Sequence, residues 1–244
     1  DAKHRKQRSP RTIADYRSKI DRNLGDWKQR PLASLSHREV YDRHREIGRR
    51  APYDANGTMR VLRAIYNRAR KIYPDMPANP CDAVDWYPER RREAAIPSAL
   101  LPQWWREVEA LKNAVRRDLY KLMLLTGLRR ETAVSIRLED IDLEARTLRV
   151  PRPKGGEARA FTLPLSDALV RLIRERIADN EASRLKRNEK RLQRRQEPFP
   201  ASPWLFPANS ASGHVSEPKP GVRDGFSVPF TPHGLRHTYI SAAT

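Results

Sequence analysis

Four side chains of this sequence stand at punctuation points where they can converge on one ligand: Arg129, Lys154, His233 and Arg236. Arg129 closes Thr126-Gly-Leu-Arg, a break that follows a nearly all-apolar stretch, and Lys154 lies in Pro153-Lys-Gly-Gly, a turn between two alternating segments. His233 and Arg236 are three apart, so they share one side of a helix opening at Thr231-Pro232. The first amides of such a helix attract an anion. Arginine's planar fork holds two non-bridging phosphate oxygens at once, while lysine and histidine move protons. Together the four describe a receptor for one phosphate diester. Taken singly, each is more often structural or solvent-facing than functional.

The composition points the same way. The 244 residues carry 49 Lys and Arg against 30 Asp and Glu, a formal net charge of +19. Such an excess asks for a polyanion, nucleic acid ahead of an anionic membrane surface. No apolar run approaches the roughly 20 residues that span a bilayer, and the basic stretch Asp1 to Arg11 lacks the apolar segment of a secretory signal. The single cysteine, Cys81, excludes an intramolecular disulfide and fits a reducing compartment. His, Asp and Glu show no metal-ligand spacing, and no Gly-rich phosphate loop is present. The expectation is a soluble, cytoplasmic protein that holds nucleic acid without a metal or nucleotide cofactor.

The elements that must position those residues begin at Ser9-Pro10, a helix start followed by Ile13, Tyr16, Ile20 and Leu24 at helical spacing. Ser36-His-Arg-Glu39 has the form of a capping box that opens a second helix through Val40 and Ile47. A third is expected from about Thr58 to Tyr73, with Met59, Leu62, Tyr66, Ala69 and Tyr73 inward. Its other faces carry Arg60, Arg63, Arg68, Arg70 and Lys71 and almost no acid. Arg60, Arg63 and Lys71 are therefore read as tracking phosphates. Pro88 to Pro97 is charged and lacks apolar periodicity, which marks a linker and a boundary near residue 95. Beyond it come helices over Leu101 to Leu111 and Arg117 to Leu125, then strands over Arg146 to Val150 and Ala160 to Leu165 joined through Lys154-Gly-Gly as a hairpin. A helix from Ser166 runs into the basic stretch Arg184 to Arg195, read as a solvated extension or loop. An irregular Pro/Ser-rich segment surrounds Trp204-Leu-Phe206, and Thr231-Pro232 caps the last helix.

Three ordered blocks carry a resemblance. Thr126-Gly-Leu-Arg129 with Asp140 and Asp142 resembles the first signature block of the tyrosine recombinases, the phage integrase family. Pro153-Lys154-Gly-Gly-Glu with Phe161-Thr-Leu-Pro-Leu-Ser166 is similar to that family's catalytic β-hairpin. Thr231-Pro-His233-Gly-Leu-Arg236-His-Thr-Tyr-Ile-Ser241 is similar to its second arginine block, and the N-terminal helices resemble its core-binding domain.

The resemblance implies a mainly α, two-domain clamp on duplex DNA. Residues 1–94 would form a helical, SAM-like core-binding domain with a basic tail and linker. Residues 95–244 would form a mixed α/β catalytic domain with a small antiparallel β-hairpin, incomplete at its C-terminus. It also implies site-specific integration or excision of a phage or mobile element. Arg129 and Arg236 would clamp the scissile phosphate, Lys154 would protonate the leaving 5′-oxygen, and His233 would bond the phosphate and assist proton transfer. The nucleophilic tyrosine would lie beyond residue 244, with none in this chain, and Tyr239 is expected to pack inward. Partners implied are double-stranded attachment sites and a synaptic homotetramer. One departure is Thr132, where the family often has Glu, with Glu131 one place earlier. Alternatives are a non-catalytic DNA-binding derivative and a related type IB topoisomerase or telomere resolvase.

The cation count makes a first prediction. Affinity of this chain for duplex DNA falls by orders of magnitude between low and physiological salt, and replacing Arg60, Arg63 and Lys71 together by Ala flattens the log–log salt slope by up to about 3, at roughly 0.9 per phosphate contact. Fluorescence anisotropy across a salt series measures it; an unchanged slope means this face does not track phosphates.

Overall fold

The computed structural model describes residues 9–89, 95–153, 156–216, 220 and 224–243. Its contacts divide the chain into two units, Asp1–Arg91 and Arg92–Thr244. No helix among the described residues is long and apolar enough to cross a membrane.

The first unit is built on α1 (Pro10–Asn23), α2 (His37–Arg50) and α3 (Pro52–Arg70). Ser9 caps α1 by accepting from the Thr12 amide at 3.2 Å. The capping box of α2 forms: the Ser36 amide donates to the Glu39 carboxylate at 3.0 Å, and the Glu39 amide donates to Ser36 Oγ at 3.2 Å. Arg30 also pairs with Glu39 at 2.7 Å, and together these contacts hold the Glu39 carboxyl down at about 2. Leu24, Leu35, Val40, Ile47, Met59 and Leu62 make the core, with Cys81 and Val84 from the returning chain.

Helix α3 starts six residues earlier than its periodicity suggests and ends earlier too. Pro52 supplies a preset φ at the first helical position. At the other end Ile72 N and Tyr73 N both bond the Ala69 carbonyl at 2.8 Å, so the ladder tightens and breaks. Pro74 follows and disfavours a helical Tyr73. Tyr73 is therefore 64% exposed and off the inner stripe, and Ile13 of α1 is likewise exposed. Asn56, fully buried in α3, binds the last described stretch of the unit. It accepts from the Tyr87 amide at 3.1 Å and donates to the Tyr87 carbonyl at 2.9 Å and Glu89 at 2.7 Å.

The second unit comprises α4 (Leu101–Glu109), α5 (Ala114–Thr126), α6 (Arg130–Val134), β1 (Ile141–Asp142), β2 (Thr147–Val150), β3 (Phe161–Pro164), α7 (Asp167–Gln193) and α8 (Pro232–Ala243). The sheet order is β1-β2-β3, antiparallel throughout, with Leu148 opposite Leu163 and Val150 opposite Phe161. Strands β2 and β3 form the hairpin that their alternation predicts; β1, two residues long, gives no periodic signal. Trp104, Leu119, Leu122, Met123, Leu148, Ile173, Leu205, Phe206 and Leu235 fill the core.

The basic stretch from Arg184 continues as the last ten residues of α7, with Arg194 and Arg195 following its end. Part of it is structural: Asn188 exchanges bonds with Phe199 N (2.7 Å) and O (3.0 Å), while the Arg187 and Arg191 guanidinium groups lie 5.4 and 4.3 Å from that ring's centre. That draws the irregular segment back along the helix.

Helices α5 and α7 are joined by a buried ion pair, Arg176 Nη1 to Asp118 at 2.9 Å, the side chains 3% and 6% exposed. Arg117 Nε completes the carboxylate at 2.8 Å, and Asn180 accepts from Arg176 Nε at 3.1 Å. Removing one partner of such a pair strands a buried charge. Asp118→Ala is expected to cost about 3–5 kcal/mol, lowering the thermal midpoint by roughly 10 °C. Exchanging both residues for apolar ones of similar volume should cost less, and equal losses in calorimetry would show that the pair itself stabilises.

Candidate phosphate-binding site and nucleic-acid interface

The site begins where α5 stops. Its last residue, Thr126, turns its hydroxyl back to the Leu122 carbonyl at 2.7 Å and accepts from the Leu128 amide at 3.3 Å. Gly127 then takes φ +59°, ψ 16°, and its amide closes the helix on Met123 O at 3.0 Å. A left-handed residue here is natural for glycine and strained for others. The reversal delivers Arg129 in extended conformation (φ −66°, ψ 146°) at the start of α6. The Arg129 side chain is exposed.

Helix α8 comes to the same turn from the far end of the unit. Thr231 caps it, accepting from the Gly234 amide at 2.9 Å. Arg236, half-buried, donates from Nη1 to the Gly127 carbonyl across 109 positions of sequence. Tyr239, one turn on, lays its ring against Gly127: a Cβ added there would lie 2.3 Å from Tyr239 Cδ1. Thr238 anchors the other side, accepting from the Ile96 amide at 2.8 Å and donating to the Gly234 carbonyl at 3.0 Å. The Arg236 guanidinium is thus seated two residues before Arg129 in the chain. His233 is exposed on the same helix, its ring 4.7 Å from that of His237. Lys154 lies outside the described residues.

The lead-in to α8 is fixed by residues that carry no motif. The Glu107 carboxylate on α4 accepts from the Ser227 hydroxyl, and from the amides of Ser227 (3.1 Å) and Val228 (3.3 Å). These bonds, the hydroxyl's first, hold the Glu107 carboxyl below its usual range. Arg116 on α5 grips Asp224 at 2.8 Å and the Tyr120 hydroxyl at 2.8 Å. Phe226 and Phe230 then pack edge-on with Tyr120, and Phe230 with Trp104. A Glu within a helix and a lone Asp give no local signal of such partners; only the fold reveals them.

The cations of the first unit are placed differently. Arg60 and Arg63 project from α3 and line a hollow of about 400 Å³ with Asn67 and Trp86. Each meets a carboxylate from the chain that follows: Arg60 with Glu89 at 2.8 Å, Arg63 with Asp82 at 3.4 Å. The Arg60 guanidinium also stands 5.6 Å from the Trp86 ring centre. Lys71 is exposed at the end of the helix. Helix α3 carries one acid, Asp54 in its first turn, and Asp82 and Glu89 reach Arg63 and Arg60 from the chain that follows. Such exposed pairs are worth little and exchange readily.

Comparison with known proteins places these features. Residues 106–242, more than half of the chain, match the profile of the phage integrase family. The chain belongs to that family, the tyrosine recombinases. This integrase-family chain is 26% identical over 147 residues to the prophage integrase IntF of Escherichia coli (strain K12), covering 59% of the chain and 28% of that protein. It is 33% identical over 131 residues to the tyrosine recombinase XerD of Rhizobium meliloti (strain 1021), covering 50% of the chain and 36% of that protein. The chain thus spans well under half the length of these relatives. Its fold is similar to that of the Tn1549 transposon integrase in complex with circular intermediate DNA, at TM-score 0.68, 17% identity, 98% of this chain and 83% of that one. It is also similar to a lambda integrase dimer bound to a COC′ core site, at TM-score 0.63 and 16% identity, over 96% of this chain and 80% of that one.

Within this integrase-family chain the expectation for Tyr239 needs correcting. It does pack on the turn, but it is 38% exposed rather than enclosed, because Gly127 offers its ring only a bare Cα on one side. Glu131, one place before the family's usual position, pairs with Arg130.

Gly127→Ala is expected to destabilise the second unit by about 2–4 kcal/mol, from left-handed strain together with the clash. Adding Tyr239→Ala should recover the part due to the clash and leave the backbone strain. A double-mutant cycle in urea reads the coupling; strict additivity would mean that the ring and the turn do not interact.

Proposed function

We propose that this chain is the DNA-binding and phosphate-activating part of a site-specific recombinase that breaks and rejoins DNA strands at attachment sites of a phage or mobile element. The observation that carries the reading is the bond from Arg236 to the Gly127 carbonyl, which seats the His-x-x-Arg block against the Thr-Gly-Leu-Arg block. In this reading the two guanidinium groups of Arg129 and Arg236 hold the non-bridging oxygens of one diester. They oppose the charge that accumulates as phosphorus becomes five-coordinate. Their pairing geometry suits that task better than an ammonium would. His233 hydrogen-bonds a phosphate oxygen, and Lys154 gives a proton to the departing 5′-oxygen.

The bond formed is between a tyrosine oxygen and phosphorus; the bond broken is from phosphorus to the 5′-oxygen. Attack by the 5′-hydroxyl of a partner strand reverses both and frees the tyrosine. Phosphodiester energy is kept in the 3′-phosphotyrosyl link, so no nucleotide is consumed. None of this chain's tyrosines is assigned the attack. Tyr239 is held on the turn beside Arg236, whereas the nucleophile must approach in line, opposite the leaving oxygen. Residues 1–94, with Arg60, Arg63 and Lys71, are read as the core-binding domain on the duplex, and residues 95–244 as the catalytic domain. The assembly that exchanges strands is read as a tetramer of such chains.

A nicked suicide duplex carrying the element's attachment site tests this on a denaturing gel. The 244-residue chain should bind the duplex without a covalent band, and a longer product of the same reading frame should give one. In that product Arg129→Ala or Arg236→Ala should slow adduct formation by about 10²–10³-fold with a far smaller loss of duplex binding. An adduct from the 244-residue chain that vanishes in Tyr239→Phe would falsify the assignment.

A further inference from the structure

Helix α3 carries one exposed carboxamide among its cations. Asn67 lies one turn after Arg63 and one turn before Lys71, so the three share a row along the helix. All three are exposed. Asn67 also lines the hollow of about 400 Å³ with Arg60, Arg63 and Trp86. Alone among these side chains it holds both donors and an acceptor, so its orientation decides what it can bind.

That orientation is set from inside the unit. Asn79, 2% exposed, is itself fixed by two backbone groups. Its Oδ1 accepts from the Cys81 amide at 3.0 Å, and its Nδ2 donates to the Arg63 carbonyl at 3.2 Å. Exchanging the two ends of this amide would set oxygen against a carbonyl and nitrogen against an N–H. The second N–H of Asn79 Nδ2 donates to Asn67 Oδ1 at 2.7 Å. Asn67 therefore spends its acceptor on the buried Asn79. Its NH2 makes no hydrogen bond among the described residues and offers two donors.

We propose that Asn67 is a specificity-determining residue that reads the major-groove edge of a guanine, while the cations beside it hold backbone phosphates. The inference rests on the DNA-binding reading and adds a base preference to it. An asparagine with both ends free pairs with adenine, donating to N7 and accepting from the N6 amino group. Here the acceptor is taken, and an NH2 set against the adenine amino group leaves donors face to face. Guanine presents N7 and O6, two acceptors and no donor. Cytosine offers its N4 donor, and thymine a single acceptor beside a methyl group. A group that can only donate is thus best matched by guanine.

Binding of the 244-residue chain to duplexes with a randomised segment, followed by sequencing of the bound fraction, tests this. The selected sites should contain a position at which guanine is preferred over adenine by about five- to tenfold. Asn67→Asp keeps an oxygen for Asn79 and replaces the NH2 by a second acceptor. The preference at that position should then pass to cytosine, whose N4 donates, while other positions keep theirs. A residue that only supported α3 would change affinity for every duplex alike and move no preference. In a selected duplex, 7-deazaguanine at that position removes N7. It should weaken binding of the unaltered chain severalfold, a readout that requires no variant to fold. Undiminished binding of the 7-deazaguanine duplex, the absence of any guanine position, or a guanine preference that survives Asn67→Asp overturns the proposal and leaves DNA binding intact. Failure to bind any duplex at low salt overturns the DNA-binding reading along with it, so the two failures are told apart.

Discussion

The second unit turns on one backbone reversal. At Gly127 a residue without a Cβ takes a left-handed conformation, and three consequences meet there. Helix α5 ends, so the chain can present Arg129 instead of continuing a buried ladder. The carbonyl is left as an acceptor and takes the Arg236 guanidinium. The bare Cα leaves a seat for the Tyr239 ring, which a methyl group would fill. Two helices far apart in the chain are thereby set against each other by a hydrogen bond and a ring contact at the same point. Losing the turn would disturb cap, clamp and packing together, because they share a single residue.

Around that point the fold commits its polar side chains to rigidity. Asp118 and Arg176 tie α5 to α7 from the inside. Glu107 and Arg116 hold the segment that leads into α8 through the Ser227 and Val228 amides and the Asp224 carboxylate. On the proposed reading, an arginine that holds an anion must itself be prevented from relaxing, and preorganised donors cost nothing further when charge develops. The supports here are of two kinds. The Asp118–Arg176 pair is buried and sensitive to loss of either member, whereas Glu107 is reached by water and gains from the number of donors rather than from burial.

The first unit uses charge differently. Arg60 and Arg63 on α3 are already paired with Glu89 and Asp82, in contacts open to solvent. Such pairs keep long side chains extended along a surface without committing much energy. On the proposed reading, the formal net charge of +19 adds a long-range attraction for a polyanion ahead of any particular contact.

Local chemistry is legible in the order of the residues alone. Ser9-Pro10, the Ser36/Glu39 box and Thr231-Pro232 all declare helix starts because their capping bonds span only three or four residues. Alternation in Thr147–Val150 and Phe161–Pro164 marks a hairpin for the same reason. Thr-Gly-Leu-Arg, the hairpin block and His-x-x-Arg together point to the family, since order and spacing survive in one dimension. Tertiary structure decided everything that depends on distance in space. It extended α3 back to Pro52 and exposed Tyr73, folded the end of α7 around Phe199, and added β1, too short to show a period. It also turned Glu107 and Asp224 into anchors and set Tyr239 on Gly127. Those contacts join residues about a hundred positions apart, and no window along the chain contains both partners.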